Sequence, residues 1–178
     1  MKNSDITNAW VRCSYASPLG AMTLAASEQG LTGCWFDTQK HMPDVSRWAT
    51  RIDNPMLQQA ASELQRYFAG ETHPFQVPLD IRVGTAFQQA VWRGLLAIGP
   101  GQTLSYGELS QRLGRATAVR AVGAAVGRNP LSLFIPCHRV VGANGALTGY
   151  AGGLERKQAL LELEFGQASR FAQGTIAG

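Results

Sequence analysis

Three consecutive residues, Cys137, His138 and Arg139, place a thiol, a titratable base and a fixed cation inside a stretch that otherwise reads as core. The apolar run from Leu131 to Ile135 enters them through Pro136, and Val140-Val141 resumes the apolar pattern. Few structural needs call for that combination, so the rest of the chain reads as a device for bringing a reactant to Cys137. A thiol attacks only as thiolate and needs a base or positive charge nearby. His138 is the obvious base, but neighbours in an extended segment point to opposite faces. Contact therefore requires a turn at Pro136-Cys137 or a bridging water. Glu164 is the carboxylate available to orient the imidazole. The bland alternative is an inert buried cysteine beside a satisfied core histidine. Pro136, Arg139 and an unusual helix upstream weigh against it.

Charge is divided unevenly along the 178 residues. Residues 1–84 carry 7 Lys+Arg against 8 Asp+Glu, a net of −1, and residues 85–178 carry 9 against 4, a net of +5. Eight of those nine cations are arginine, the side chain suited to phosphates and planar partners. This favours nucleic-acid contact by the second half. The first nine residues are polar with no apolar core after them, and no run approaches the roughly 20 residues a bilayer span requires. A cytoplasmic protein without membrane contact is the expectation. Cys13, Cys34 and Cys137 are odd in number and widely spaced, which does not suggest a disulfide framework. Cys13, Cys34, His41 and His73 match no compact metal-ligand spacing, so no metal is expected.

Val11–Ala16, Ala21–Ala26 and Leu31–Phe36 read as an antiparallel meander broken by Ser17-Pro18-Leu19-Gly20 and Glu28-Gln29-Gly30. Asp37 to Asp53 reads as loop. Asn54-Pro55 starts a helix that Gly70 ends, and Phe75, Val77, Leu79 and Ile81 alternate like a strand that Pro78 puts at an edge. After a linker at 81–84, Thr85-Ala86-Phe87-Gln88 fits a capping box for a helix ended by Pro100-Gly101. Ser105-Tyr106-Gly107-Glu108 fits another, for a helix running to Leu113. Thr117 caps a third helix, roughly 118–127, completing a helix-turn-helix pattern. That third helix is nearly all Ala, Gly and Val, with Arg120 its single long side chain, so its backbone can approach a partner closely. Gly142-Ala143-Asn144-Gly145 predicts a hairpin folding Val140-Val141 onto Ala146–Thr148 as a two-stranded wing. A last helix from Leu154 to Phe165 is expected to turn Leu154, Leu161 and Phe165 inward, with a loose tail behind it.

The segment Ile135-Pro136-Cys137-His138-Arg139-Val140 resembles the signature of methylated-DNA–protein-cysteine methyltransferases, the O6-alkylguanine-DNA alkyltransferases. Ser105-Tyr106-Gly107-Glu108-Leu109, Arg120-Ala121-Val122-Gly123, Gly127-Arg128-Asn129-Pro130 and Thr148-Gly149-Tyr150-Ala151-Gly152-Gly153 are similar to the family in order and spacing. Ser17-Pro18-Leu19-Gly20 and Tyr67-Phe68-Ala69-Gly70 extend the resemblance to about residues 10–165. It implies an α+β fold. A ribonuclease-H-like α/β domain (1–80) and a linker (81–84) precede a mostly helical winged helix-turn-helix domain (85–166), which carries DNA binding and catalysis; 167–178 form a tail. It implies that Cys137 accepts the alkyl group irreversibly, that His138 acts through a water and that Glu164 holds His138. Asn129 would support the turn between the recognition helix and the cysteine. Tyr106 would press on the target phosphate and donate to the guanine. Arg120 would fill the space left by the extruded base, and Val140, Tyr150 and Ala151 would line the base pocket. Tyr106, Gly107, Arg115, Arg120 and Ala121 form the implied DNA-binding set, with the helix at 118–127 in the minor groove. The partner is double-stranded DNA carrying O6-alkylguanine, with O4-alkylthymine a second candidate; the protein would be a monomer able to assemble on DNA, and no cofactor is implied. Some family members hold zinc in the first domain, but Asn8, Ser27 and Thr32 stand where three of its ligands would be. Ala151 replaces a common serine or glycine.

Two other classes compete. A cysteine hydrolase would use Cys137 and His138 on an acyl substrate, but no strong oxyanion-hole motif accompanies them. A non-catalytic sensor of alkylated DNA, or a helix-turn-helix regulator, would leave Cys137 without a role.

Overall fold

In the computed structural model, residues 9–71 and 73–174 are described, with side chains through Gly166. The chain begins with strands β1 (Val11–Ser17), β2 (Gly20–Ala26) and β3 (Leu31–Phe36), paired antiparallel as the turn chemistry predicts. Ser17 Oγ donates to the Gly20 carbonyl and accepts the Leu19 N–H, closing the first turn, where Gly20 takes φ +119°. The loop after β3 contains an element the polarity of Asp37–Asp53 hid. Ala49–Thr50 forms β4, parallel to β1, giving the order β3-β2-β1-β4. Helix α1 (Pro55–Phe68) starts at Asn54, whose side chain accepts the Leu57 N–H, and turns Leu57, Ala60, Leu64 and Tyr67 into the core.

The strand expected over Phe75–Ile81 does not form. Only Leu79 bridges, to Leu31, through Leu31 N–H to Pro78 O and Asp80 N–H to Leu31 O. The reason is a shortage of donors. Pro74 and Pro78 have none, and the Glu63 carboxylate of α1 takes the N–H groups of Gln76 and Val77.

Helix α2 (Ala86–Leu95) carries the Thr85/Gln88 capping box and ends before Pro100-Gly101, at Leu96, with Ile98 buried in the turn beyond. Strand β5 (Leu104–Ser105) runs into α3 (Tyr106–Arg112), capped by the Ser105/Glu108 box and stopped at Gly114 with φ +66°. Helix α4 (Val119–Gly127) starts from Ala118 and has no side-chain cap, so Thr117 does not serve as one. Trp92 of α2 donates its indole N–H to Ala125 O (2.8 Å), pinning α4.

The wing differs from the expectation. The 142–145 turn forms, with Gly142 N–H to Ala146 O and Gly145 at φ +73°. Strand β6 (Val140–Val141), however, pairs in parallel with β5, and 146–148 is not a strand. Helix α5 (Leu154–Gly174) runs past Phe165 through most of the expected tail; 175–178 lie outside the described residues. Its inward face is Lys157, Leu160, Leu161 and Glu164, while Leu154 and Phe165 are exposed.

One hydrophobic cluster runs through both halves, from Leu24, Cys34, Phe36 and Leu64 to Trp92, Val122, Leu131, Ile135 and Leu160. The edge of β3 also accepts the later chain as a partner. Cys34 N–H donates to Pro130 O (2.8 Å) and Ser132 N–H to Cys34 O (2.9 Å). The segment leading to Cys137 is thus seated on the N-terminal sheet.

Candidate active site

Between α4 and Cys137 the chain makes a tight loop that Asn129 holds from inside. Asn129 Oδ1 accepts the Leu131 N–H (3.0 Å), and Nδ2 donates to Ile135 O (2.8 Å) and to Cys137 Sγ (3.1 Å). Leu133 within this loop sits at φ +71°, an uncommon conformation for a side chain of its size. Cys137–Arg139 then form a single 3₁₀ turn, which resolves the geometric difficulty of consecutive side chains on an extended segment. All three are buried, and so is Glu164, which meets His138 and Arg139 from α5.

Glu164 Oε1 accepts from His138 Nε2 (2.7 Å), Arg139 Nη2 (2.8 Å) and the Tyr67 hydroxyl (2.8 Å), and Oε2 accepts from Arg139 Nε (2.9 Å). Arg139 Nη1 also donates to Ile98 O. Burial pushes the Glu164 carboxyl up, but the bonds and charge supplied by His138 and Arg139 outweigh it and bring its pKa to about 2. It is an anion and can only accept. His138 is pushed below the ordinary imidazole range, chiefly by burial, against the upward pull of Glu164. A neutral His138 must place its proton on Nε2 to satisfy Glu164. That leaves Nδ1 as a bare lone pair, and Nδ1 is buried with no hydrogen-bond partner among the described residues. This is the arrangement of a general base held by a carboxylate.

Burial raises the Cys137 thiol above its usual range, while the Asn129 hydrogen bond and the positive charge of Lys157 pull it down. The resting residue is a protonated thiol whose neighbours favour its anion, the backbone N–H groups of Cys137 and His138 among them. Lys157 Nζ donates to Val140 O, to Thr148 O (2.9 Å) and to Gly149 O (3.4 Å). A small cavity of about 10 Å³, the room of one water, borders Cys137 and is lined by Val126, Asn129, Ser132, Gly149, Tyr150 and Ala151. A cleft of about 450 Å³ reaches Arg139 but not Cys137, so the small cavity is the one that bears on the thiol.

Sequence reasoning placed Cys137, His138, Glu164 and Asn129 together, and they meet. Tyr150 and Ala151 line the cavity at the sulfur; Val140 is buried and is not among its lining residues. Tyr106 is half-buried, its hydroxyl 3.4 Å from Thr148 O and from Gly149 O. Its ring runs beside α4, where a Cβ added to Gly123 would lie 3.6 Å away. Arg115, Arg120 and Ala121 are exposed, with Arg120, Ala121 and Ala124 forming the outer face of α4. None of these three touches the thiol network. Tyr67 and Lys157 were missed. The signal for Lys157 lay in α5, where Lys157 and Glu164 are seven residues apart on the stripe carrying Leu160 and Leu161. Two charges on an apolar stripe imply buried work. Tyr67 offered no comparable signal.

Among the described residues, no group of three or more His, Cys, Asp or Glu could hold a metal. Asn8 lies outside them. Among the described residues, no helix is long and apolar enough to cross a membrane.

The sequence matches two family models, the 6-O-methylguanine DNA methyltransferase ribonuclease-like domain over residues 11–81 and its DNA binding domain over residues 86–166. It is 48% identical over 152 residues to a methylated-DNA–protein-cysteine methyltransferase of Mycobacterium tuberculosis, covering 85% of this chain and 90% of that one. A relative of the same description from Haemophilus influenzae is 42% identical over 151 residues, 84% of this chain and 83% of its own. Among solved structures, Mycobacterium tuberculosis OGT in complex with DNA superposes with a TM-score of 0.79 at 45% identity, covering 89% of this chain and 93% of that one. With both halves matched and this identity sustained along most of its length, the chain belongs to the methylated-DNA–protein-cysteine methyltransferase family.

Proposed function

We propose that this protein repairs duplex DNA directly, moving the alkyl group of O6-alkylguanine onto Cys137 Sγ once per molecule. The observation that carries this reading is the buried relay: a bare His138 Nδ1, fixed through Nε2 on an anionic Glu164, one residue from a thiol that Asn129 contacts. His138 Nδ1 takes the thiol proton through a water, and the thiolate attacks the alkyl carbon in line. The S–C bond forms as the C–O6 bond breaks, and Tyr106 donates to the departing guanine ring. The proton released by the thiol ends on the guanine, so the products are an S-alkylcysteine and a normal base. A thioether offers no carbonyl for water to attack, hence the single turnover.

Residues 85–166 carry this work. The O6 atom lies inside the duplex, so the base is flipped out while α4 lies in the minor groove and Arg120 occupies the gap. Gly107, Arg115 and Ala121 meet the backbone and groove, and Val140, Tyr150 and Ala151 receive the base. Residues 1–80 form a scaffold joined through 81–84, and 167–178 take no part. The protein acts in the cytoplasm, as a monomer able to assemble cooperatively on DNA.

The test is intact and peptide mass spectrometry after mixing the protein with duplex carrying one O6-methylguanine. A single methyl on the Cys137 peptide, stoichiometric with protein, is expected. Tight binding without a mass change identifies a lesion sensor instead, and neither binding nor mass change points to a hydrolase. Cys137→Ala is expected to keep duplex binding within about threefold, because that side chain is buried away from the duplex-facing surface, and to lose transfer altogether.

A further inference from the structure

The wall of the cavity in front of Cys137 belongs to a segment without regular structure, residues 142–153, between β6 and α5. The C-terminal half holds one end of it, through Lys157 and Tyr106 on the carbonyls of Thr148 and Gly149. The other end is held from the N-terminal sheet. Lys40 N–H donates to Ala151 O (3.1 Å). Phe36, at the end of β3, lies so close to Gly152 that an added Cβ there would come within 3.0 Å of its ring and 2.8 Å of the Tyr150 ring.

One side chain joins these parts. Arg156, in the first turn of α5, donates Nη1 to Gly152 O (2.9 Å) and Nε to Leu19 O in the β1–β2 turn (2.9 Å). Its guanidinium stacks 4.6 Å from the centroid of the Phe36 ring. Nη2 reaches the space where a Cβ on Gly20 would stand, 3.0 Å from it. A planar fork that is always charged can bridge two carbonyls while stacking on a ring; a lysine cannot do all three.

We propose that Arg156 is a positioning residue that fixes the height of the Tyr150–Ala151 wall above Cys137 and so sets the size of alkyl group the pocket accepts. The inference rests on the reading of Cys137 as acceptor. A cavity of about 10 Å³ admits no base, so this wall moves outward when guanine enters, and Arg156 is the tie it moves against. It also gives the N-terminal sheet a part in the chemistry. With the tie in place, a methyl carbon is held in line with the sulfur. With it loosened, a small group is held less well while a bulky group gains room.

The experiment measures second-order transfer rates for the wild type, Arg156→Ala, Arg156→Gln and Arg156→Lys. Substrates are matched duplexes carrying O6-methylguanine or O6-benzylguanine, with duplex affinity and melting temperature recorded alongside. Misplacement of a reacting group by about 1 Å costs up to ~10²-fold. Arg156→Ala is therefore expected to slow methyl transfer about 10- to 100-fold, to slow benzyl transfer much less, and to raise the benzyl-to-methyl ratio about tenfold. Duplex affinity stays unchanged, and the ratio in Arg156→Lys falls between the two. Should Arg156→Ala not fold, Arg156→Gln, which keeps one donor for one carbonyl, carries the same comparison. Equal slowing on both substrates, or no change in the ratio, overturns the proposal and leaves Arg156 a brace for stability. A loss of duplex affinity that accounts for the rates overturns it too, in favour of a DNA contact. A wild type that transfers neither group refutes the acceptor reading itself, which is a separate outcome.

Discussion

Glu164 is the residue on which the buried charges depend, since it takes hydrogen bonds from Tyr67, His138 and Arg139 and is itself fully buried. Removing one partner of a buried ion pair strands the other, at about 3–5 kcal/mol. Glu164→Gln leaves the Arg139 guanidinium without a counter-ion, so a fall in melting temperature on the order of 10 °C is expected, taking about 2–4 °C per kcal/mol for a chain of this size. The pH dependence follows with a fixed sign. Glu164 is depressed to about 2 in the folded state, so its contribution is present above the unfolded carboxylate range and lost as pH falls towards 2. His138 is depressed by burial; the unfolded chain binds that proton first, so stability also falls as pH drops below the ordinary imidazole range. Urea midpoints followed down in pH should decline in the wild type through both windows, and the lower decline should be shallower in Glu164→Gln, where Asp80, also held at about 2, still contributes. Identical acid limbs in the two proteins would show that the carboxylate is not ionised by its partners. Asn129→Ala removes both donors to the loop carbonyl and sulfur and the acceptor for Leu131, and should cut transfer by about 10²-fold. Rescue of rate in Asn129→Ala at high pH would mark the sulfur bond as the part that matters. At this scale the sequence spoke clearly where chemistry was contiguous, as in Cys137-His138-Arg139. It was silent on Tyr67, which meets Glu164 across 97 residues, because a tyrosine on an amphipathic helix is indistinguishable from core.

Helix α4 shows what an element can be selected for other than its own stability. Its glycines cost helix propensity, yet Trp92 and the burial of Val122, Ala125 and Val126 keep it folded. Its outer face carries Arg120 and the small side chains of Ala121 and Ala124. Ala124 is exposed there, so Ala124→Glu and Ala124→Lys should each change stability by only a few tenths of a kcal/mol. Both should weaken duplex binding at least about tenfold if backbone approach is the requirement, since one added charge of favourable sign cannot offset the lost fit. Weakening by Glu alone, with Lys binding more tightly, would show that charge and not fit governs this face. Arg120→Ala, also at an exposed position, should leave the melting temperature unchanged while slowing repair in duplex more than transfer from a free modified base. Local signals placed the helix starts at Asn54, Thr85 and Ser105 because a cap is written within four residues. They failed where a tertiary partner outbid a local one. Val140-Val141 chose β5, some thirty-five residues upstream, over the adjacent hairpin arm. The alternating run at 75–81 lost its donors to prolines and to Glu63.

On the scale of the whole molecule, the Cys137 sulfur is the end of a chain of contacts that begins on the N-terminal sheet. Cys34 in β3 bonds to Pro130 and Ser132, Asn129 bonds across the same loop to Leu131 and Ile135, and its amide reaches Sγ. A methyl group on that sulfur enters a space with room for only one water, bordered by Asn129, Ser132 and Tyr150, and crowds the Asn129 amide that contacts the sulfur. Overpacking a tight site costs about 1–3 kcal/mol, and here the displaced side chain ties down a loop that already holds Leu133 at positive φ. The S-methylated protein should therefore melt about 2–12 °C below the unmodified one, with Cys34 and Ser132 amides among those that lose hydrogen-exchange protection. That pattern separates a disturbance passed to the sheet from one absorbed by the pocket wall. If the wall yields instead, the 149–153 segment alone loses protection and the melting temperature holds. The loop held by Asn129 would then be stiffer than the tie made by Arg156, and the burden of accommodating each alkyl group would fall on the wall.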